Sequence, residues 1–98
     1  MRALLAAVAL FAAAPAFAAD APATSLTLAD AAKAPAGRVI VDGAAWRCEG
    51  ASCTASGGTN QPAARACRRV VAKLGPVTAF SYKGEALDAQ ALATCNAG

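Results

Sequence analysis

The chain is 98 residues long, with four cysteines, no histidine and a formal net charge of +3. It therefore lacks the commonest general base and metal ligand, and its six acidic residues are scattered without an adjacent pair, so we expect no enzymatic activity, no metal and no cofactor. The net charge is too small to indicate a nucleic-acid partner.

Residues 1–18 have the three parts of a secretory signal peptide. Arg2 is the positively charged n-region, Ala3 to Phe17 form an uncharged apolar stretch, and Ala16-Phe17-Ala18 is an A-x-A cleavage site. The apolar run is about 15 residues, shorter than the ~20 that a membrane-spanning helix needs. We predict cleavage before Ala19, no transmembrane anchor after cleavage, and a periplasmic or secreted destination.

Removing 18 of the 98 residues leaves 80, enough for one small domain. Residues 19–24 contain Pro22 and small side chains, which predicts a flexible leader before a single domain over residues 25–98. Much of the apolar content is alanine, which buries little area. A core this thin usually needs covalent reinforcement, and four cysteines in a short exported chain indicate a disulfide framework.

The sequence patterns in the first half of the domain predict two strands. Alternating polar and apolar residues over 24–28 favour a strand with both leucines on one face. Residues 29–37 read as a loop with room for a helical turn. Residues 38–42 are β-branched and end at the turn pair Asp42-Gly43. Their apolar run does not alternate, so we expect burial on both faces of that strand.

A second hairpin follows directly. Residues 44–48 predict a strand with Trp46 on the core side, and residues 49–52 predict a four-residue loop in which Gly50 takes a positive φ. Closing this loop sets cysteine opposite cysteine and the indole opposite a small side chain. The predicted pairs are Cys48–Cys53, Arg47–Thr54 and Trp46–Ala55.

An amphipathic helix is predicted next. Asn60 or Gln61 can cap it with Pro62 in its first turn, and Gly75-Pro76 is a stop signal. Its apolar residues recur at helical spacing. They are Ala63, Ala66, Cys67, Val70, Val71 and Leu74.

The remaining segment predicts one strand and one helix. Residues 77–82 favour a strand with its two aromatic side chains on one face, followed by a tight turn at Lys83-Gly84. Asp88 is suited to cap a short final helix, with Leu87 and Leu92 placed as a hydrophobic staple. Cys95 then lies on the same face as Leu92, and Asn96 suits a left-handed C-terminal position.

Four cysteines allow three pairings, and loop-closure entropy does not separate them. The hairpin forces Cys48 and Cys53 together, and Cys67 and Cys95 each point to the core from a helix, so we favour Cys48–Cys53 with Cys67–Cys95. A zinc site is the alternative, but it usually shows two close cysteine pairs and here only one pair is close. A redox site favours a C-x-x-C motif, which is absent.

The predicted amphipathic helix also has a basic face opposite its apolar one. We call the residues of this face the basic strip: Arg65, Arg68, Arg69 and Lys73. Such a strip suits docking on anionic lipid, polysaccharide or an acidic protein. An ordinary solvated helix face gives the same pattern, so the sequence leaves both interpretations open.

One block of the sequence, Trp46-x-Cys48-x-Gly50-x-x-Cys53-x-Ala55, is distinctive together with Cys67-Arg68, Gly75-Pro76-Val77 and the terminal Cys95-Asn96. In these residues the chain resembles a family of small exported alphaproteobacterial proteins of unknown function, over about residues 26–96. The resemblance implies export and four structural cysteines, and it carries no activity and no ligand residues.

The sequence thus predicts an α+β domain: a small antiparallel sheet with two helices on one face and two disulfides. For function we expect a non-enzymatic envelope or extracellular binding protein, whose partner is another protein or an anionic envelope component. The alternative is an exported inhibitor or regulator that acts through the rigid loop 49–52. An exposed, rigid loop would favour the inhibitor, and a continuous basic helix face with a buried loop would favour the binder.

Overall fold

The structure is a computed structural model that describes residues 23–97. The predicted signal peptide over residues 1–18 lies outside the described residues, as does the predicted leader up to residue 22. The elements in chain order are β1 (Ser25–Leu28), a short 3-10 helix (Ala31–Lys33), β2 (Val39–Val41), β3 (Ala44–Glu49), β4 (Ser52–Gly57), α1 (Ala63–Leu74), β5 (Val77–Tyr82), β6 (Glu85–Ala86) and α2 (Ala89–Ala97).

The six strands form one antiparallel sheet in the order β2-β3-β4-β1-β5-β6. The first strand, β1, therefore lies inside the sheet, between β4 and β5. Buried side chains from five strands share one face, and the buried side chains of α1 and α2 belong to the same cluster. The helices cover this face, which confirms the predicted α+β architecture with two helices on one side.

The core is built around Trp46, which is fully buried. Its ring centroid lies 6.0 Å from that of Phe80, and Phe80 in turn stacks 6.5 Å from Tyr82. The apolar stripe of α1 packs on these aromatics, with Val71 only partly buried. Aromatic pairs at these separations stabilise a small core beyond the area that they bury.

Strand β2 departs from the predicted burial on both faces. Val41 is buried, but Ile40 is 53% exposed. Among residues 23–97, Ile40 is the one large hydrophobic side chain that is exposed. The prediction was wrong because nothing covers the second face of the sheet in residues 23–97. Side chains alternate along the strand, so Ile40 points away from the helices while its neighbours point toward them.

The β3–β4 hairpin confirms the predicted register, with Cys48 opposite Cys53 and Trp46 opposite Ala55. The loop is shorter than predicted. Pairing continues to Glu49 and Ser52, so only Gly50-Ala51 turns the chain, and the φ of Gly50 is +63°. The prediction of four loop residues counted one strand residue on each side as loop.

Helix α1 begins one or two residues later than the predicted cap. Pro62 stands at the N-cap position with an extended backbone, and no side chain caps the helix. Gln61, a predicted cap, instead donates a hydrogen bond from Nε2 to Asp42. The helix ends as predicted at Gly75, whose φ is +100°.

The segment before α1 is fixed by two hydrogen bonds on Thr59. Its N–H donates to the carbonyl of Asp42 over 3.0 Å, and its carbonyl accepts from the Tyr82 hydroxyl over 2.6 Å. The hydroxyl lies where a Cβ on Gly58 would stand, and the φ of Gly58 is +103°. This position therefore requires glycine, and the start of α1 is held against both β5 and the β2–β3 turn.

The described residues include the last two of the predicted leader, Ala23 and Thr24. Thr24 is buried, and its hydroxyl oxygen accepts from the Lys83 N–H over 3.0 Å. The Ala23 carbonyl accepts from the Gly84 N–H over 2.9 Å. These two hydrogen bonds tie residues 23 and 24 to the turn between β5 and β6.

Both predicted disulfides are confirmed: Cys48–Cys53 closes the hairpin, and Cys67–Cys95 joins α1 to α2. Helix α2 starts as predicted, since Asp88 Oδ1 accepts from the Ala91 N–H over 2.8 Å. Leu87 and Leu92 are partly buried against the core, as the staple requires.

Asn96 has a role that the sequence did not indicate. It lies within α2 rather than at a left-handed C-terminal position. Its Oδ1 accepts from the Val77 N–H over 2.9 Å, and its Nδ2 donates to the Val77 carbonyl over 2.7 Å. Because β6 pairs only with Ser81 and Tyr82, the carboxamide takes the place of a neighbouring strand at the start of β5.

The two disulfides should differ in their contribution to stability. Their cysteines are separated by 5 and 28 residues. The chain-entropy model then gives about 2 kcal/mol for Cys48–Cys53 and about 3.5 kcal/mol for Cys67–Cys95. In urea unfolding, replacing Cys67 and Cys95 together by alanine should lower the free energy of unfolding more than the same replacement of Cys48 and Cys53. An equal loss in both double variants would contradict this ranking.

We call the pair of hydrogen bonds between the Asn96 carboxamide and the Val77 backbone the Asn96 clamp. Removing the clamp should destabilise the domain. Asn96→Ala leaves the Val77 N–H and carbonyl without their partners and should cost about 1–3 kcal/mol in urea unfolding. Asn96→Asp keeps the acceptor but sets a carboxylate oxygen against the Val77 carbonyl, so it should not rescue the loss. Gln90→Ala, an exposed change in the same helix, is the matched control. Equal stability of Asn96→Ala and the control would show that the clamp contributes nothing.

Candidate binding surface

Helix α1 exposes all four residues of the basic strip: Arg65, Arg68, Arg69 and Lys73. Each turn of the helix buries its apolar residues on one side and leaves the basic side chains on the opposite side. The structure thus brings the predicted residues onto one surface. It does not leave all of them equally available.

Arg69 is engaged by a carboxylate. Its Nε lies 3.1 Å from Asp42 Oδ2, and its Nη2 donates to Oδ1 over 3.2 Å. Gln61 adds a third hydrogen bond to the same carboxylate. The Arg69 side chain is 56% exposed and that of Asp42 is 22% exposed, so this ion pair lies at the surface. Surface pairs of this kind contribute little to stability, but the bidentate geometry fixes the orientation of the guanidinium.

Asp42 is presented by the β2–β3 turn. Its φ is +49° and that of Gly43 is +83°, as in the two-residue turns that match the twist of a hairpin. The hydrogen bonds from Arg69 and then Gln61 hold the pKa of the Asp42 carboxyl below its ordinary value of 3.8. The carboxylate therefore stays ionised throughout the neutral range and neutralises Arg69.

A groove of about 520 Å³ lies between β2 and α1. We call it the α1–β2 groove. It is lined by Ile40, Val41, Asp42, Arg68, Arg69, Ala72 and Lys73. Arg68 and Lys73 thus face the groove. Neither forms a salt bridge with a carboxylate of residues 23–97, where the salt bridge observed is Arg69–Asp42. Arg65 lies outside the groove.

Ile40 was not among the predicted site residues. In a sequence, a β-branched residue inside an apolar run indicates burial, and no local signal shows that β2 ends up at the edge of a sheet with one uncovered face. Asp42 was predicted only as a turn residue. Its partner Arg69 is 27 positions away, beyond the range of any helix or hairpin spacing.

The loop 49–52 is exposed at Glu49, Gly50 and Ser52. It is also fixed: the Cys48–Cys53 disulfide closes its base, and the Ala51 carbonyl accepts from the Leu28 N–H over 2.7 Å. The loop is therefore rigid and accessible, but its two-residue turn projects little beyond the sheet.

A second depression lies on the uncovered face of the sheet. It has a volume of about 330 Å³ and contains Arg38 and Arg47 beside the hydroxyls of Thr54 and Ser56. Both arginines belong to the opposite side of the sheet from α1, which makes them useful controls for the basic strip.

Across residues 23–97, no three histidine, cysteine, aspartate or glutamate side chains come together in a way that could hold a metal ion. Neither α1 nor α2, nor any other helix in that range, has the length and apolar character needed to cross a bilayer.

The chain belongs to a family that is described as a family of unknown function (DUF8200), whose model matches residues 5–97. The match spans nearly the whole sequence and includes every strand, both helices and all four cysteines. No curated protein sequence and no solved structure matches the chain significantly.

The Asp42 ion pair should make stability depend on pH. Because the folded-state pKa is lowered, the pair stabilises the fold above the unfolded value of 3.8 and loses this effect as the pH falls through the folded value. Asp42→Asn removes the titrating group. The difference in urea midpoint between the native protein and this variant should therefore be small but positive at about pH 7 and vanish near pH 2.

Glu85→Gln is the control for this measurement, since Glu85 is an exposed acid outside the groove and the salt bridge. Its difference from the native protein should change less between the two pH values. A constant difference for Asp42→Asn across the whole range would contradict a stabilising ionised pair.

Proposed function

We propose that this protein is an exported, non-enzymatic binding protein of the periplasm or the extracellular space, and that it contacts an anionic partner through the α1–β2 groove. The observation that carries this proposal is the groove itself. Arg68 and Lys73 face it without a carboxylate partner among the described residues, and Ile40 lies exposed at its rim. Cations beside apolar surface are suited to a partner that is both acidic and partly apolar.

The export part of the proposal rests on two features. Residues 1–18 have the pattern of a cleavable signal peptide. All four cysteines are paired in disulfides, which form and persist in oxidising compartments.

An inhibitor or regulator that acts through the loop 49–52 is the second candidate. The observation that favours it is the exposed, disulfide-closed loop, whose backbone is tied to β1. Preorganised loops of this kind lose little entropy on binding. By the criterion drawn from the sequence, the exposed and rigid loop favours the inhibitor, whereas the basic strip, exposed at all four positions, favours the binder. The groove ranks first because it offers unneutralised charge together with apolar surface, whereas the loop presents only a two-residue turn.

The basic strip supplies the test of the proposed function. The variant Arg65→Gln, Arg68→Gln, Lys73→Gln removes the three strip cations that lack a salt bridge and leaves Arg69 on Asp42. The oxidised mature protein should bind polyglutamate or vesicles of anionic phospholipid at low salt, and added salt should weaken this binding steeply. At about 1 kcal/mol per cation, the loss of three cations should weaken binding roughly a hundredfold.

The matched control is Arg38→Gln, Arg47→Gln, Lys83→Gln, which removes the same charge from exposed positions outside α1. It should retain most of the binding. Equal weakening in both variants would show an effect of net charge alone, and absence of binding to either probe at low salt would refute the proposed function.

A further inference from the structure

The sheet has an open edge at β2. Strand order places β2 at one end, where only β3 pairs with it. Val41 and Ala44 flank a two-residue turn, so they form the closing hydrogen-bonded pair of that hairpin. Hydrogen-bonded and non-hydrogen-bonded pairs alternate along an antiparallel ladder, so the next pair, Ile40 with Ala45, is not hydrogen-bonded.

The backbone of Ile40 consequently points away from the sheet. Its N–H and carbonyl are directed to the open edge, and none of the turn, loop or capping hydrogen bonds within residues 23–97 uses them. The same edge forms one wall of the α1–β2 groove, and Arg68, Ala72 and Lys73 of α1 form the other. A donor, an acceptor and two cations therefore border one channel.

We infer that the α1–β2 groove binds an extended acidic polypeptide segment, which adds to the sheet as a strand alongside β2. The inference rests on the proposed function and specifies its partner. Strand addition uses main-chain hydrogen bonds for affinity and alternate side chains for specificity. Here the main-chain partners are the N–H and carbonyl of Ile40.

The alternation of side chains determines the sequence that this edge selects. A partner residue directly opposite Ile40 places its side chain on the same face as Ile40, away from α1, where an apolar group can cover the exposed isoleucine. The residues before and after it point to the opposite face, toward Arg68 and Lys73. The preferred pattern is therefore acidic, apolar, acidic.

Charge argues against a second copy of this chain as the occupant. Two chains that paired through their β2 edges would bring the basic residues of both grooves close together, and like charges across an interface are costly. An anionic membrane would satisfy the cations, but it would leave the Ile40 N–H and carbonyl without strand partners. The acidic polypeptide satisfies both sets of groups.

The test is an NMR titration of the oxidised, 15N-labelled mature protein with capped peptides. The first peptide has the central sequence Thr-Glu-Val-Glu-Thr. The second has the same residues in the order Thr-Val-Glu-Glu-Thr, and the third repeats the first with an N-methylated valine. The first peptide should shift the amides of Val39, Ile40 and Val41 and slow hydrogen exchange at Ile40.

Methylation removes one main-chain donor without changing charge, so the third peptide should bind about tenfold more weakly than the first. The reordered peptide should also bind more weakly, because its acidic side chains cannot both face α1. On the protein side, Arg68→Gln with Lys73→Gln should weaken binding of the first peptide severalfold, whereas Arg38→Gln with Arg47→Gln should not.

Three results would overturn an acidic strand as the occupant of the α1–β2 groove while leaving the proposed function standing. One is equal affinity for all three peptides, which would indicate charge alone. Another is binding to anionic vesicles with no peptide-induced shift at β2, which would indicate a membrane partner. The third is shifts of the β2 amides that depend on protein concentration without peptide, which would indicate a second copy at the edge. Absence of binding to every anionic probe would instead refute the proposed function itself.

Discussion

The Cys67–Cys95 disulfide is the constraint on which the helical layer depends. Helix α2 fully buries only one side chain, Cys95. Leu92 is partly buried, and the other residues of the helix are small or polar. Packing alone would therefore hold α2 weakly to the sheet. The covalent bond to α1 fixes it, and with α2 in place the Asn96 carboxamide reaches the backbone of Val77. A small domain with little large apolar surface thus replaces part of its core with a covalent bond and a hydrogen-bonded clamp.

Helix α1 is held differently on its two sides. Toward α2 it has the disulfide, and toward β2 it has the Arg69–Asp42 ion pair and the hydrogen bond between Thr59 and Asp42. An exposed ion pair is far weaker than a covalent bond and is screened by salt. The α1–β2 groove therefore lies beside the non-covalent attachment of the helix, and the disulfide lies on the side toward α2.

Local sequence was enough to predict the Cys48–Cys53 disulfide, the register of the β3–β4 hairpin and the face that α1 buries, because each depends on residues within a few turns or one loop. Cys67 and Cys95 are 28 residues apart, and their pairing was predictable because each was the one remaining cysteine on the core face of a predicted helix. Local sequence was not enough for strand order. Nothing in the alternation of residues 24–28 shows that β1 enters the sheet between β4 and β5. The error at Ile40 follows from this, since exposure there depends on β2 being an edge strand. The partners of Asp42 and Asn96, 27 and 19 residues away, were hidden for the same reason.

The two edges of the sheet differ in a way that bears on function. At β6 the strand is two residues long, contains Glu85 and follows Lys83, and short charged edge strands are a common protection against unwanted pairing. At β2 an exposed isoleucine stands beside outward backbone groups and a basic groove. A single exposed apolar residue is ordinary in any protein. Its combination with unneutralised cations is more selective, because like charges disfavour pairing with a second basic copy at this edge, whereas an acidic strand of the kind proposed would be attracted by the same cations.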